Sequence, residues 1–180
     1  MRVYLMRHGT TVWNEKGITQ GRSNNRLSKN GVEKTKQVAK KYANVKFDFI
    51  VCSPLFRAVQ TANLMNTYHN VKIKKDMNLI EIEQGIFTGR HKDSLTPEEK
   101  ILKYRKDKSC GMESYQEVYD RSKVFVESLK KYDTCNNILV VTHACNATML
   151  ENIFKNRKID LNNRESLKNF DNAEIKKFVL

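Results

Sequence analysis

Three short apolar runs constrain this chain more than any other feature: residues 2–6, the segment FDFIVC at 47–52, and NILVVT at 137–142. Each carries few polar interruptions, the pattern of strands buried on both faces of a mostly parallel sheet. Segments of helical period lie between them. Val32, Thr35, Val38, Ala39 and Tyr42 form one stripe, Ala58, Ala62 and Met65 the next, and Val118, Val124, Phe125 and Leu129 a third. The order strand, helix, strand, helix, helix, strand predicts the α/β class.

Helix starts are marked by local chemistry. Ser53-Pro54 reads as a cap before a proline at the first helical position, Thr96-Pro-Glu-Glu99 repeats that with a glutamate at N3, and Ser114-Tyr-Gln-Glu117 is a capping box. These predict helices over 54–68, 96–106 and 114–132. Residues 173–180 read as a closing strand, and the Asn-rich stretch from Asn156 to Asn163 as a loop. At 180 residues, with no repeat or interdomain linker, the chain is expected to form one domain over 1–180.

The apolar start, Met1 to Met6, is too short and too quickly charged for a signal peptide, and no run approaches the length of a membrane span. A soluble, cytoplasmic protein is expected. Cys52, Cys110, Cys135 and Cys145 form no Cys-x-x-Cys pair and have no histidines at zinc spacing, so neither a structural metal nor a disulfide framework is indicated. The 33 basic against 20 acidic side chains give a net charge of +13, which suits an anionic partner. The lysines are spread along helical segments, as in Lys34, Lys36, Lys40 and Lys41 and again Lys100, Lys103, Lys106 and Lys108, and read as a solvated surface. Such a field serves phosphate-bearing small molecules as well as nucleic acid. The nucleic-acid reading rests on charge alone, because no interleaved aromatic and basic pattern accompanies it.

The first run leads directly into Arg7-His8-Gly9, placing a cation and an imidazole at the carboxyl end of a strand, where open α/β sheets bind ligands. Gly9 permits close backbone approach. The second run ends in Cys52-Ser-Pro-Leu-Phe-Arg57, which puts Arg57 in the first turn of a helix, against the positive end of its dipole. Either a nearby carboxylate or a bound phosphoryl group would relieve that conflict. The third run ends in His143. Two imidazoles and two guanidiniums at one sheet edge suit a phosphoryl group held by fixed cationic donors while an imidazole attacks in line. A leaving alkoxide also needs a proton, and Glu81 and Glu83 stand beside apolar neighbours and glycines. The residues themselves do not choose between these two. A cysteine-phosphatase loop would need five residues between Cys52 and Arg57, and four intervene.

Arg7-His8-Gly9 after a first strand, Ser53-Pro-Leu-x-Arg57-Ala-x-Gln60-Thr-Ala62, Leu79-x-Glu81-Ile-x-x-Gly85-x-x-x-Gly89 and Val-Val-Thr-His143 together resemble the histidine phosphatase superfamily. The motifs occur in the family's order over residues 2–150, and Asn172-Ala-Glu-Ile175 is similar to its final strand. The resemblance implies a phosphoglycerate mutase-like, three-layer α/β/α fold with a mostly parallel central sheet. It implies that His8 becomes phosphorylated, that Arg7, Arg57 and His143 hold the phosphoryl group, that Glu81 rather than Glu83 is the proton donor, and that no metal or other cofactor takes part. Asn14 matches a position that contacts phosphate, Gln20 and Gly21 match a loop lining the site, and Ala144 is expected to border substrate beside His143. Ile18, Asn24, Arg26, Met112 and the pair Ala144-Cys145 depart from the family's usual residues, so the substrate is left open.

The expected partner is a phosphorylated small molecule, with a phosphoprotein as an alternative, and no membrane. Within the family a phosphatase is favoured over a mutase, because only the segment from Arg90 to Cys110 is available to cover the site. Cys145 is read as a core thiol or a thiol near the pocket, His69 as a helix-end residue favoured by partial positive charge, His91 as an exposed loop residue with bordering substrate as the alternative, and Glu113 as serving the following helix terminus with facing the pocket as the alternative.

Overall fold

In the computed structural model, which describes residues 1–132, 134–161 and 170–180, the three apolar runs form the centre of one five-stranded sheet. β1 (Arg2–Arg7), β2 (Phe49–Cys52), β3 (Ile73–Lys75), β4 (Asn137–Thr142) and β5 (Ile175–Val179) lie in the order β3-β2-β4-β1-β5. All neighbours are parallel except β5, which runs antiparallel to β1 at the edge. The closing strand read at 173–180 is therefore present.

Alternation along the strands divides the core between two helical layers. Val3, Leu5, Val51, Ile138 and Val140 face α5 (Tyr115–Ser128) and α6 (Ala144–Phe154), where they meet Phe125, Ala147 and Leu150. Tyr4, Met6, Ile50, Cys52, Leu139 and Val141 face α2 (Lys29–Lys41) and α3 (Phe56–Met65), packing on Ala39, Ala58, Ala62 and Met65. Burial on both faces is what the unbroken apolar character of the runs required. The molecule thus has the three α/β/α layers.

Two helices begin where capping chemistry placed them. Thr96 and Glu99 close a reciprocal box ahead of α4 (Pro97–Arg105), and Ser114 and Glu117 do the same for α5, which ends at Ser128 and passes into a 3-10 turn over Leu129–Tyr132. The third start differs. α3 begins at Phe56 rather than at residue 54, and Ser53 does not cap it. Ser53 is still in the strand's hydrogen-bonding pattern, its N–H donating to Val141 O at 2.9 Å. The cap comes instead from Asn24, whose Oδ1 accepts from the N–H of Phe56 at 2.9 Å. The one-turn α1 (Val12–Glu15), β3 and α6 carried no separate sequence signal. Residues 157–160 have no regular secondary structure, as read for that stretch, while Asn162 and Asn163 lie outside the described residues. No helix among the described residues is long and apolar enough to cross a membrane.

Register decides what stands at the carboxyl edge. Arg7 pairs with Thr142, and Cys52 with Val141, so the residues that follow the three central strands, His8, His143 and Ser53, emerge side by side with His143 in the middle.

Candidate active site

His8 is fixed at both ring nitrogens. Its Nδ1 lies 2.7 Å from Gly9 O, and a carbonyl can only accept, so Nδ1 carries the proton. Nε2 is left with a lone pair, on which Arg57 Nε donates at 3.2 Å. Burial, reinforced by Arg57 and Arg7, holds the pKa of His8 well below the usual histidine range. The ring is therefore neutral at physiological pH. His143, fully buried, faces it with 5.1 Å between ring centroids and a tilt of 59°. Burial and then Arg57 depress His143 in the same sense. Its Nε2 lies 2.7 Å from Ser53 Oγ, while its Nδ1 is buried without a hydrogen-bond partner among the described residues.

Arg57 reaches no carboxylate through a direct hydrogen bond among the described residues. Besides His8, its guanidinium donates to Ser23 O at 2.7 Å and Gly21 O at 2.9 Å, so the 17–26 loop is drawn around it. Burial pulls its pKa down to about 10 against the opposing attraction of Glu81, which leaves it charged. Arg7 donates to Phe170 O at 2.5 Å, and its Nε is buried without a partner among the described residues. The close approach that Gly9 permits is to α2: a Cβ there would sit 2.4 Å from Thr35 Oγ1.

The two glutamates are separated by their surroundings. Glu81 Oε1 accepts from the N–H of Ile82 at 2.9 Å, and Glu81 lines both compartments of the cleft. Glu83 turns away, with Oε1 accepting from the N–H groups of Gln84 and Gly85 at 2.8 and 3.2 Å. Glu113 does not serve the start of α5. It pairs with Arg121 at 2.8 Å and Arg22 at 3.0 Å and accepts from the N–H of Glu83, tying the Glu81 loop to α5.

The cleft has two adjoining compartments of about 170 and 290 Å3 that share Arg7, Glu81, Gln84 and Lys92. The smaller holds His8, Arg57, Asn14, Gln20, Gly21 and Ile18. Asn14 Oδ1 accepts from the N–H of Thr11, and the Thr11 hydroxyl lies 3.0 Å from Gln20 Oε1. The larger holds Ala144, Cys145, Lys106, Tyr115 and Thr148. His143 lines neither and lies behind them. Lys92, Lys103, Lys106, Gln84 and Tyr115 were not singled out from the sequence. Lys103 and Lys106, read there as solvated, instead turn inward: Lys103 Nζ donates to Thr19 Oγ1 at 2.6 Å, and Lys106, 8% exposed, to Gln84 Oε1 at 3.2 Å. Their spacing of three residues was a usable signal, but it does not say which face of the helix packs.

The remaining titratable groups carry less. Cys52 is buried and its thiol is pushed up to about 11 by that burial, so it is inert as a nucleophile. Burial and Glu81 raise the Cys145 thiol as well. His69 packs edge-on against Phe47 with 4.7 Å between centroids, and burial lowers its pKa, so the positive charge expected at that helix end is not favoured. His91 is exposed and its Nδ1 accepts from the N–H of Asp93. Met112 packs with Phe87, Leu95 and Cys110. Among the described residues, no group of three or more His, Cys, Asp or Glu side chains is placed to hold a metal ion.

Comparison with known proteins bears on the family and the fold. A family model described as histidine phosphatase superfamily (branch 1) matches residues 3–180. A probable phosphoglycerate mutase of Escherichia coli is 32% identical over 151 residues, 79% of this chain and 69% of that protein. A putative α-ribazole-5′-P phosphatase from Escherichia coli superposes with a TM-score of 0.86 at 25% identity, over 98% of this chain and 89% of its own. The mycobacterial glucosyl-3-phosphoglycerate phosphatase gives 0.86 at 23% identity, over 98% of this chain and 90% of its own, and bears on the fold alone.

Proposed function

The chain belongs to the histidine phosphatase superfamily, and from that membership and the cleft we propose that it is a phosphomonoesterase working through a phosphohistidine on His8, with no metal ion. The observation that carries the reading is the state of His8: a neutral ring, proton held on Nδ1 by Gly9 O, and an Nε2 lone pair at the cleft whose present partner, Arg57 Nε–H at 3.2 Å, has to pass to the phosphoryl oxygens before attack. Nε2 attacks phosphorus, the P–N bond forms, and the ester P–O bond breaks. Arg7, Arg57 and His143 stabilise the equatorial oxygens, and Glu81 in its acid form protonates the leaving oxygen. Water then attacks phosphorus, Glu81 takes its proton, and inorganic phosphate leaves neutral His8. Asn14, Gln20 and Gly21 border the phosphoryl group, and Ala144 borders the leaving group.

Hydrolysis is favoured over transfer by the thin cover. Between Gly89 and Gly111 the chain supplies only α4 and two 3-10 turns. The relative called a probable phosphoglycerate mutase favours the second reading, in which phosphate returns to substrate. A screen of phosphorylated metabolites and phosphopeptides, run in EDTA with wild type and His8→Ala in parallel and read by ³¹P NMR, tests both. The expected result is inorganic phosphate from wild type only. Activity that needs added Mg²⁺, or persists in His8→Ala, overturns the proposal; a positional isomer without inorganic phosphate selects the mutase.

A further inference from the structure

Ser53 belongs to the family-like motif, yet it neither caps α3 nor lines the cleft. It is fully buried, and its hydroxyl has two partners among the described residues: His143 Nε2 at 2.7 Å and the N–H of Leu55 at 3.3 Å. A hydroxyl has one proton and two lone pairs. The Leu55 N–H occupies one lone pair. If His143 Nε2 also carried a proton, it would take the second, and the buried hydroxyl proton would have no acceptor, at the cost of an unsatisfied donor. With the hydroxyl donating to a bare Nε2, the hydroxyl, Nε2 and the Leu55 N–H are all paired and only the Nδ1–H is left over, whereas the other tautomer leaves both the hydroxyl proton and the Nδ1 lone pair unpaired among the described residues. The ring proton must then be on Nδ1, which is buried without a partner among the described residues, in a ring whose centroid lies 5.1 Å from that of His8.

We propose that Ser53 is a positioning residue that holds His143 as its Nδ1–H tautomer, turning the ring's one N–H donor toward the phosphoryl group carried by His8. The strand order makes the device available, since β4 lies between β1 and β2 and the residues after the three strands fall in one row. The proposal rests on the functional reading above for its purpose but not for its test. A serine in this position does what the carbonyl of Gly9 does for His8: each ring has one nitrogen committed to the fold, leaving the other to the chemistry. The two commitments are opposite in sense. Gly9 O accepts, which leaves His8 a lone pair, and Ser53 donates, which leaves His143 a proton.

The tautomer is read directly by long-range ¹H–¹⁵N correlation on ¹⁵N-labelled protein near pH 7.5, with His143→Gln to assign the signal. The expected wild-type pattern has Nδ1 protonated and Nε2 bare. In Ser53→Ala the proton should move wholly or partly to Nε2. On whichever phosphoester the screen identifies, kcat/KM should fall ~10- to 100-fold, as for the loss of a supporting hydrogen bond to a working histidine. Ser53→Thr, which keeps the hydroxyl, should restore the Nδ1–H pattern. A wild-type His143 protonated at Nε2, or a Ser53→Ala protein with an unchanged tautomer, overturns the proposal. Should Ser53→Ala fail to fold, the wild-type spectrum decides alone. Absence of turnover on every phosphoester would count against the phosphatase reading and leave the NMR result to decide on Ser53.

Discussion

His8 and Arg57 hold each other in place: the Arg57 Nε–H that occupies the imidazole lone pair also helps keep that ring unprotonated. The energetic consequence can be read from pH. In the unfolded chain His8 and His143 take up protons below about pH 6.5, whereas in the folded chain burial and the arginines keep both neutral to well below that value. The unfolded state then binds more protons, so stability is fully present above about pH 6.5 and is lost as pH falls through it. The limiting slope is ~1.4 kcal/mol per pH unit for each histidine. Melting temperatures measured between about pH 7.5 and 5 should drop steeply for wild type and less for His143→Gln; equal drops would mean that His143 titrates normally in the fold. The two glutamates make a second prediction. Glu81→Gln should lower kcat by ~100-fold or more for alkyl phosphates and far less for p-nitrophenyl phosphate, whose leaving group needs no proton. Glu83→Gln should change kcat by less than about threefold, since that carboxylate meets backbone N–H groups outside the cleft. The opposite ranking would transfer the proton-donor role to Glu83.

The elements hold these side chains by a buried polar network at the end of β4. The Thr142 hydroxyl lies between Leu79 O and Asn146 Oδ1, at 2.7 and 2.8 Å, and Asn146 Nδ2 donates to Asn78 O and Ser122 Oγ, both at 3.0 Å. Arg121 donates to the same Asn78 carbonyl. The turn that leads into Glu81 is thereby tied to β4, α5 and α6. Asn146→Ala strips partners from several buried groups at once and should cost about 2–4 kcal/mol in urea unfolding, with kcat lowered as well. A loss under about 1 kcal/mol would show that water takes over those bonds. At this scale the sequence was uneven evidence. The central strands were legible because burial on both faces leaves no room for polar residues, the site histidines because they directly follow such strands, and Arg57 because it falls in the first turn of the helix after one. α6 was hidden, since its apolar residues run on from β4 across His143 with no turn residue between. Which of Glu81 and Glu83 lines the cleft was not legible from the spacing, and only the family resemblance pointed to Glu81, because the loop passes through a turn at Gly85 whose glycine has φ +52° and whose Cβ, if present, would lie 1.8 Å from Cys110 O. The role of Ser53 was misread because serine before proline is a common helix start, whereas here strand pairing runs one residue further.

Across the whole molecule, positive charge converges on the cleft. Arg7, Arg57, Lys92, Lys103 and Lys106 line it with Glu81 as the acidic lining residue, on a chain of net charge +13. Such a field raises the local concentration of a dianionic substrate and is screened over about 8 Å at physiological ionic strength. Raising salt from about 20 to 300 mM should lower kcat/KM several-fold, mainly through KM, while kcat at saturation changes little. A flat salt response would assign the surplus charge to some other partner. The proposed phosphatase reaction depends on a covalent bond between phosphorus and His8, and its most direct test is to quench wild type, mid-turnover on a ³²P-labelled substrate, in denaturant at high pH. The account predicts label on the protein, up to one phosphate per chain, stable to alkali, lost in acid, located on the peptide containing His8 and absent from His8→Ala. Label that survives acid, that maps to a cysteine or carboxylate, or that persists in His8→Ala would contradict it.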